Sequence, residues 1–199
     1  MTILTTSVHY FTTKGPDNTL DTLKLARTRM DELNIPVALV ATTNGDAGVK
    51  AVEVFRGRKL ICVSHVTGFV SPDTQELTSE NRAVIEAAGV PILTAAHAFS
   101  GIDRAIRGKF STMEPVELMA NTLRLFCEGM KVSVEIALMA ADAGLIRTDT
   151  PVICVAGTSH GSDTAVILKP SNAHTIFDLK IIEIVCMPSP LHPAIHLEK

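Results

Sequence analysis

The chain has 199 residues, 46% of them hydrophobic, and 18 Lys and Arg against 21 Asp and Glu give a formal net charge of −3. That length suffices for one complete core and leads one to expect a single domain over 1–199. The cations are scattered, with no basic stripe and no basic–aromatic interleaving, which argues against a nucleic-acid partner.

Aromatic residues make up 4% of the chain, with no Trp and one Tyr, so the core must be aliphatic. No apolar run reaches the ~18 residues that a membrane span needs. The opening MTILTTSVHYF lacks the basic region and long apolar stretch of a signal peptide, so the expected location is cytoplasmic, with no membrane partner. Cys62, Cys154 and Cys186 sit in strand-like apolar runs and Cys127 in a helical one. None has metal-ligand spacing, so reduced core thiols are expected and no metal.

In chain order, a short strand is expected near Val8–Phe11, then a turn at Gly15-Pro16. Asn18 is placed to cap a helix carrying Leu20, Leu23, Ala26, Met30 and Leu33 on one face, with Asn34 as a left-handed stop before Pro36. Val37–Ala41 reads as the first buried strand, and Thr42-Thr43-Asn44-Gly45 turns it into a helix from Asp46 to Phe55. Lys59–His65 is the second strand, followed by a loop through Thr67, Gly68 and Phe69. Thr78-Ser79-Glu80 opens a helix to Ala88, stopped by Gly89, and Val90–Leu93 is a third strand.

A loop through His97 and Phe99 leads to a helical turn near Ile102–Arg107. Ser111 and Glu114 have capping-box spacing before Pro115 and a helix to Cys127. Val132–Ala143 is apolar on most sides, so it should be sandwiched, and it is a candidate subunit interface for a homo-oligomer. Val152–Ala156 and Ala165–Leu168 are strands joined by Gly157-Thr158-Ser159-His160-Gly161-Ser162-Asp163-Thr164. Ser171–Asp178 is a short helix or turn, and Lys180–Met187 is the last strand, before a proline-rich tail.

Strands alternating with helices imply an α/β three-layer sandwich around a mostly parallel sheet. The link from Ala156 to Ala165 is too short for a crossover, so the sheet is mixed, with an antiparallel strand near the C-terminus.

In such sheets ligands bind beyond the carboxyl ends of the parallel strands. Those ends carry Thr42, Thr43, Asn44 and Gly45, then His65, Thr67, Gly68 and Phe69, then His97 and Phe99, then Gly157 to Thr164. The opposite ends are poor in polar groups. The first loop runs into a helix N-terminus, where unpaired N–H groups favour a phosphate or carboxylate, although the same residues also suit plain helix capping.

Other readings compete. Gly157-Thr158-Ser159-His160-Gly161 matches the GxSxG elbow of serine hydrolases, but a strand follows where that motif needs a helix. His192 and His196 are four apart in the tail, a spacing that suits an ordinary tail better than a metal pair. Lys131 and Glu135 read as a structural i,i+4 pair.

The stretches GPDNT (15–19), VALVATTNGDAG, LICVSHVTGF, ILTAAHAFSGIDRAI, EGMKVSVEIALMAADAGLI and VAGTSHGSDTAVILKPSNA resemble a stand-alone family related to the C-terminal α/β domain of pyruvate kinase. In pyruvate kinase two such loops hold the phosphates of a sugar-bisphosphate effector. The resemblance gives the first role to Thr42, Thr43, Asn44 and Gly45, and the second to Gly157, Thr158, Gly161, Ser162 and Thr164. There is no catalytic barrel, so phosphoryl transfer is not implied. Members of the stand-alone family are associated with flavin mononucleotide (FMN). That implies an FMN phosphate in the first loop and a ring beside Phe69, His97 and Phe99. The expected function is binding of a phosphorylated small molecule, FMN foremost, in a regulatory role; a flavin-dependent oxidoreductase is the alternative.

Overall fold

A computed structural model describes residues 3–192. Strands β1 (His9–Phe11), β2 (Val37–Thr42), β3 (Lys59–Ser64), β4 (Ile92–Thr94), β5 (Val152–Ala156), β6 (Thr164–Lys169) and β7 (Lys180–Pro188) form one sheet of order β1-β7-β6-β5-β2-β3-β4. The helices are α1 (Thr19–Glu32), α2 (Asp46–Val54), α3 (Ser79–Ala87), α4 (Ile102–Phe110), α5 (Pro115–Arg124) and α6 (Glu128–Asp142).

The central strands are apolar on both faces, the pattern of a sheet covered on both sides. Ala38, Val40, Leu60, Cys62, Ile153 and Val155 pack with Leu23, Ala26 and Met30 of α1, Ala47 and Ala51 of α2 and Ile85 of α3. Val37, Leu39, Ile61, Val63, Val152 and Cys154 point the other way, onto Ile136, Ala137, Met139 and Ala140 of α6. Three layers result, as expected. β2 runs parallel to β3 and β5, and β3 to β4. β6 is the reversed strand, antiparallel to β5 and to β7, and β1 joins β7 in parallel. The turn between β5 and β6 is too short to cross a sheet face, which forces that reversal.

Local signals held in part. Asn34 (φ 53°) and Gly89 (φ 72°) end α1 and α3 in the left-handed region, and Thr78 Oγ1 accepts the Asn81 N–H at 3.2 Å as the α3 cap. Asn18 does not cap α1 through its side chain; its Nδ2 donates to the Thr13 carbonyl at 2.8 Å, and a 3-10 turn at Pro16–Asn18 leads into the helix. The capping box before α5 belongs to Glu114 and Glu117, three residues later than Ser111 and Glu114. Ser111 instead closes α4 in the left-handed region at φ 53°.

α6 is buried along nearly its whole length, between the sheet and α5. Its apolar surface is consumed inside this chain and is not available as a subunit interface. All four cysteines are free, and burial pushes the Cys62 and Cys186 thiols up to about 12. His192 stacks on Tyr10 with ring centroids 5.1 Å apart, and His196 lies outside the described residues. No helix among the described residues is long and apolar enough to cross a membrane.

Candidate functional site

A cavity of about 420 Å³ opens at the carboxyl rim of β2, β3, β4 and β5. The loops after β2 and β5 both reach it, through Thr42 and Thr43 on one side and Gly157, Ser159, His160 and Gly161 on the other. α6 supplies its inner wall, while α4 and α5 supply the outer one.

The β2 loop is built mainly as a helix cap. Thr42 Oγ1 accepts the Gly48 N–H at 3.2 Å, and Asn44 Oδ1 accepts the Asp46 N–H at 3.1 Å, so side chains already satisfy donors of the first turn of α2. Asn81 Nδ2 donates to Asp46 Oδ1 at 3.1 Å and to the Asn44 carbonyl at 3.0 Å, tying the turn to α3. Gly45 (φ 108°) fits under Asn81, since a Cβ there would lie 2.3 Å from the Asn81 Cβ. Asn44 and Gly45 therefore face α3 and lie outside the cavity lining.

The β5–β6 loop divides in the same way. Ser162 and Thr164 are fully buried and do not line the cavity, and Thr158 is also outside the lining. The Ser162 N–H donates to Thr19 Oγ1 at 3.0 Å, and the Thr22 hydroxyl donates to the Ser162 carbonyl at 3.2 Å. Buried Asp163 accepts the Gly15 N–H at 2.9 Å and the Thr164 hydroxyl at 2.8 Å. This network pins the start of α1 to the loop. A Cβ on Gly161 would lie 2.3 Å from Pro16 Cα, and one on Gly157 would lie 2.6 Å from the Gly161 carbonyl oxygen. Close backbone packing, more than ligand approach, is what these two glycines permit.

Three rings gather on the β3–β4 side. Phe69 lies 4.6 Å from His65 and 5.4 Å from His97, and the histidines are 5.1 Å apart. The Arg104 guanidinium covers Phe69 at 4.7 Å. Thr67 and Gly68 shape this loop without lining the cavity; the Gly68 N–H donates to the Thr74 carbonyl at 2.8 Å. His65 Nδ1 meets Glu76 at 2.7 Å. His97 Nε2 accepts the Val66 N–H at 3.1 Å, so its proton sits on Nδ1, 3.1 Å from Ser100 Oγ. Burial lowers the His97 pKa below the ordinary imidazole value, with the Glu135 charge opposing, and keeps the ring neutral.

Charged side chains from three helices complete the wall, and most were not singled out by the sequence. Lys131 and Glu135 form a buried ion pair on α6, with Glu135 Oε1 also accepting the Phe99 N–H at 2.9 Å. Phe99 is buried against α5 and α6 while reaching the cavity edge. Arg107 pairs with Glu117 at 3.0 Å, and Arg124 with Glu128 at 2.6 Å. The spacing of Arg104 and Arg107, one turn apart on an amphipathic helix, is the signal that was present for them.

No known family model matches the chain. The chain is similar in structure to a pyruvate kinase from Cryptosporidium parvum, at 12% identity and a TM-score of 0.39, over 76% of this chain and 22% of that one. It is similar also to an O-ureido-L-serine synthase, at 18% identity and a TM-score of 0.27, over 70% of this chain and 52% of that one. The chain thus spans about a fifth of the length of the first and about half of the second. A pyruvate kinase is a neighbour that the sequence stretches lead one to expect.

Chemically, the wall is balanced: Arg104, Arg107, Arg124 and Lys131 face Asp103, Glu117, Glu128 and Glu135. An entering anion gains only from donors that these carboxylates have not already taken. The rings offer a flat apolar surface beside them.

Proposed function

We propose that the protein binds a phosphorylated small molecule carrying a planar ring, flavin mononucleotide being the candidate, at the carboxyl rim of the sheet, in a regulatory role. One observation carries this reading: the loops after β2 and β5, distant in sequence, line a single cavity. Its volume of about 420 Å³ falls in the range of small-molecule sites. The donor set fits the group: Phe69, His65 and His97 offer faces for a ring, and guanidinium groups offer donors for a phosphate. Bound FMN would supply one- and two-electron redox chemistry.

The second reading, a flavin-dependent oxidoreductase, is favoured by the half-buried state of His65, Phe69 and His97. A ring resting there would stay open to a second reactant. A cytoplasmic location and a homo-oligomer also belong to the proposal. The oligomer is supported by the exposed apolar side chains of Ile181 and Ile182 on β7 and of Phe177 just before it.

The test is a visible spectrum of the purified protein, with mass spectrometry of what leaves it on denaturation. FMN released, or FMN bound on reconstitution, is the expected result. No chromophore together with no reconstitution would remove both flavin readings. A bound flavin reduced by a hydride donor faster than free FMN would favour the enzyme.

A further inference from the structure

We infer that the anionic end of the ligand is held by Arg104 and Arg107 on α4, and that the Thr42–Gly45 turn is a helix cap without an anion role. The inference rests on the binding reading above and says where within that cavity a phosphate ester would sit.

The β2 turn has little left to offer. Thr42 and Asn44 already accept from the first turn of α2, and the Asp46 carboxylate is held over that turn by Asn44 and Asn81. A phosphate placed there would displace formed caps and meet a like charge. Asn81 also fills the space beside Gly45.

The unspent donors lie across the cavity. Lys131 is buried and its charge is matched by Glu135, one helical turn away. Arg124 uses Nε and Nη2 on Glu128 and Nη1 on Asn121. Arg107 meets Glu117 through Nη1, at 3.0 Å. Arg104 has only the Phe69 ring beneath it among the described residues, so its fork of N–H donors is open. Arg104 and Arg107 are three residues apart and project from one face of α4 into the cavity. Asp103 and Glu117 stand on the same wall, so direct guanidinium donation, not net charge, must decide where a phosphate rests.

α4 is suited to move with its ligand. It has no buried residue, and its apolar Ile102 and Phe110 are 80% and 65% exposed. The Arg107–Glu117 pair and the Arg104–Phe69 stack are what tie its polar face to the cavity.

The test compares wild type with an Arg104→Gln/Arg107→Gln double variant, whose fold is safe because neither side chain is in the core, as circular dichroism will verify. Wild type should bind FMN at least about tenfold more tightly than riboflavin, which lacks the phosphate, since one charge-assisted hydrogen bond is enough for that factor. In the double variant the FMN affinity should fall to that of riboflavin, so that the preference is lost. A preference retained in the double variant overturns the inference. If neither flavin binds, the flavin reading fails, and inorganic phosphate decides this inference alone. Saturable shifts of the Arg104 and Arg107 Nε–H resonances in wild type, together with loss of phosphate binding in the variant, support it. Shifts of the Gly45–Gly48 amides instead, or no saturable shift, overturn it.

Discussion

Lys131 and Glu135, one helical turn apart on α6, form an ion pair whose side chains are each 6% exposed, at the inner wall of the cavity. Glu135 also accepts the Phe99 N–H, so it joins α6 to the loop after β4. Replacing Glu135 by Leu strands a buried ammonium and an unpaired N–H, and should cost about 3–5 kcal/mol. The double change Lys131→Met/Glu135→Leu should recover much of that loss, because it removes the stranded charge. Urea unfolding of the single and double variants measures both. A single variant that loses under about 1 kcal/mol would mean that the pair is solvated, as ordinary surface pairs are.

His97 gives a dependence on pH. Burial lowers its pKa in the folded state, so the unfolded chain takes up a proton first as pH falls. The contribution to stability is complete above the ordinary imidazole value near 6.5 and is lost as pH falls from there through the lowered folded value. Wild type should therefore lose thermal stability between pH 7.5 and 5.5 by more than His97→Gln does. Equal slopes in melting temperature, or an NMR titration of the His97 ring at the ordinary value, would contradict this.

The glycines separate into two kinds. A Cβ on Gly161 would lie 2.3 Å from Pro16 Cα, and one on Gly129 would lie 2.1 Å from Thr164 Oγ1. Gly161→Ala and Gly129→Ala should each cost roughly 1–3 kcal/mol through overpacking. Gly108, inside α4, has open space around it, and Gly108→Ala should stabilise that helix by roughly 0.5–1 kcal/mol. Denaturant midpoints for the three variants give the comparison.

The sheet was legible because its strands are apolar on both faces. The runs at 37–41, 59–65 and 152–156 leave no other solution, and the eight-residue polar link after Ala156 fixes the one reversed strand. The sequence puts β4 at Val90–Leu93 and the structure at Ile92–Thr94, since a three-residue edge strand has too few side chains to set its bounds. The convergence of two loops on one cavity was also legible, from the polar residues at the strand ends. What each residue does there was not. Thr42 and Asn44 have the same chemistry whether they cap a helix or hold a phosphate, and only the partners found in space, Gly48 and Asp46, tell the two apart. Ser162 and Thr164 sit in a glycine-rich loop that reads as exposed, yet the start of α1 covers them. The arginines of α4 and α5 read as a solvated surface because no pattern in the sequence says that they line a cavity with Phe69 and the strand ends.

Ser159 is the residue on which a hydrolase would depend. It lines the cavity and adopts φ 60°, the left-handed region that a non-glycine residue rarely enters. A nucleophilic serine needs a base within hydrogen-bond reach, itself oriented by a third group. Among the described residues no histidine is hydrogen-bonded to the Ser159 hydroxyl. The acceptor nitrogen of His97 is already occupied by the Val66 N–H, and His65 is turned to Glu76. The chain after Ser159 enters β6, antiparallel to β5, where the elbow of a hydrolase would present a helix N-terminus to stabilise the oxyanion. Incubation with a fluorophosphonate probe should therefore leave the intact mass unchanged, in wild type as in Ser159→Ala. A mass increase of one phosphonyl group in wild type alone would establish Ser159 as a nucleophile.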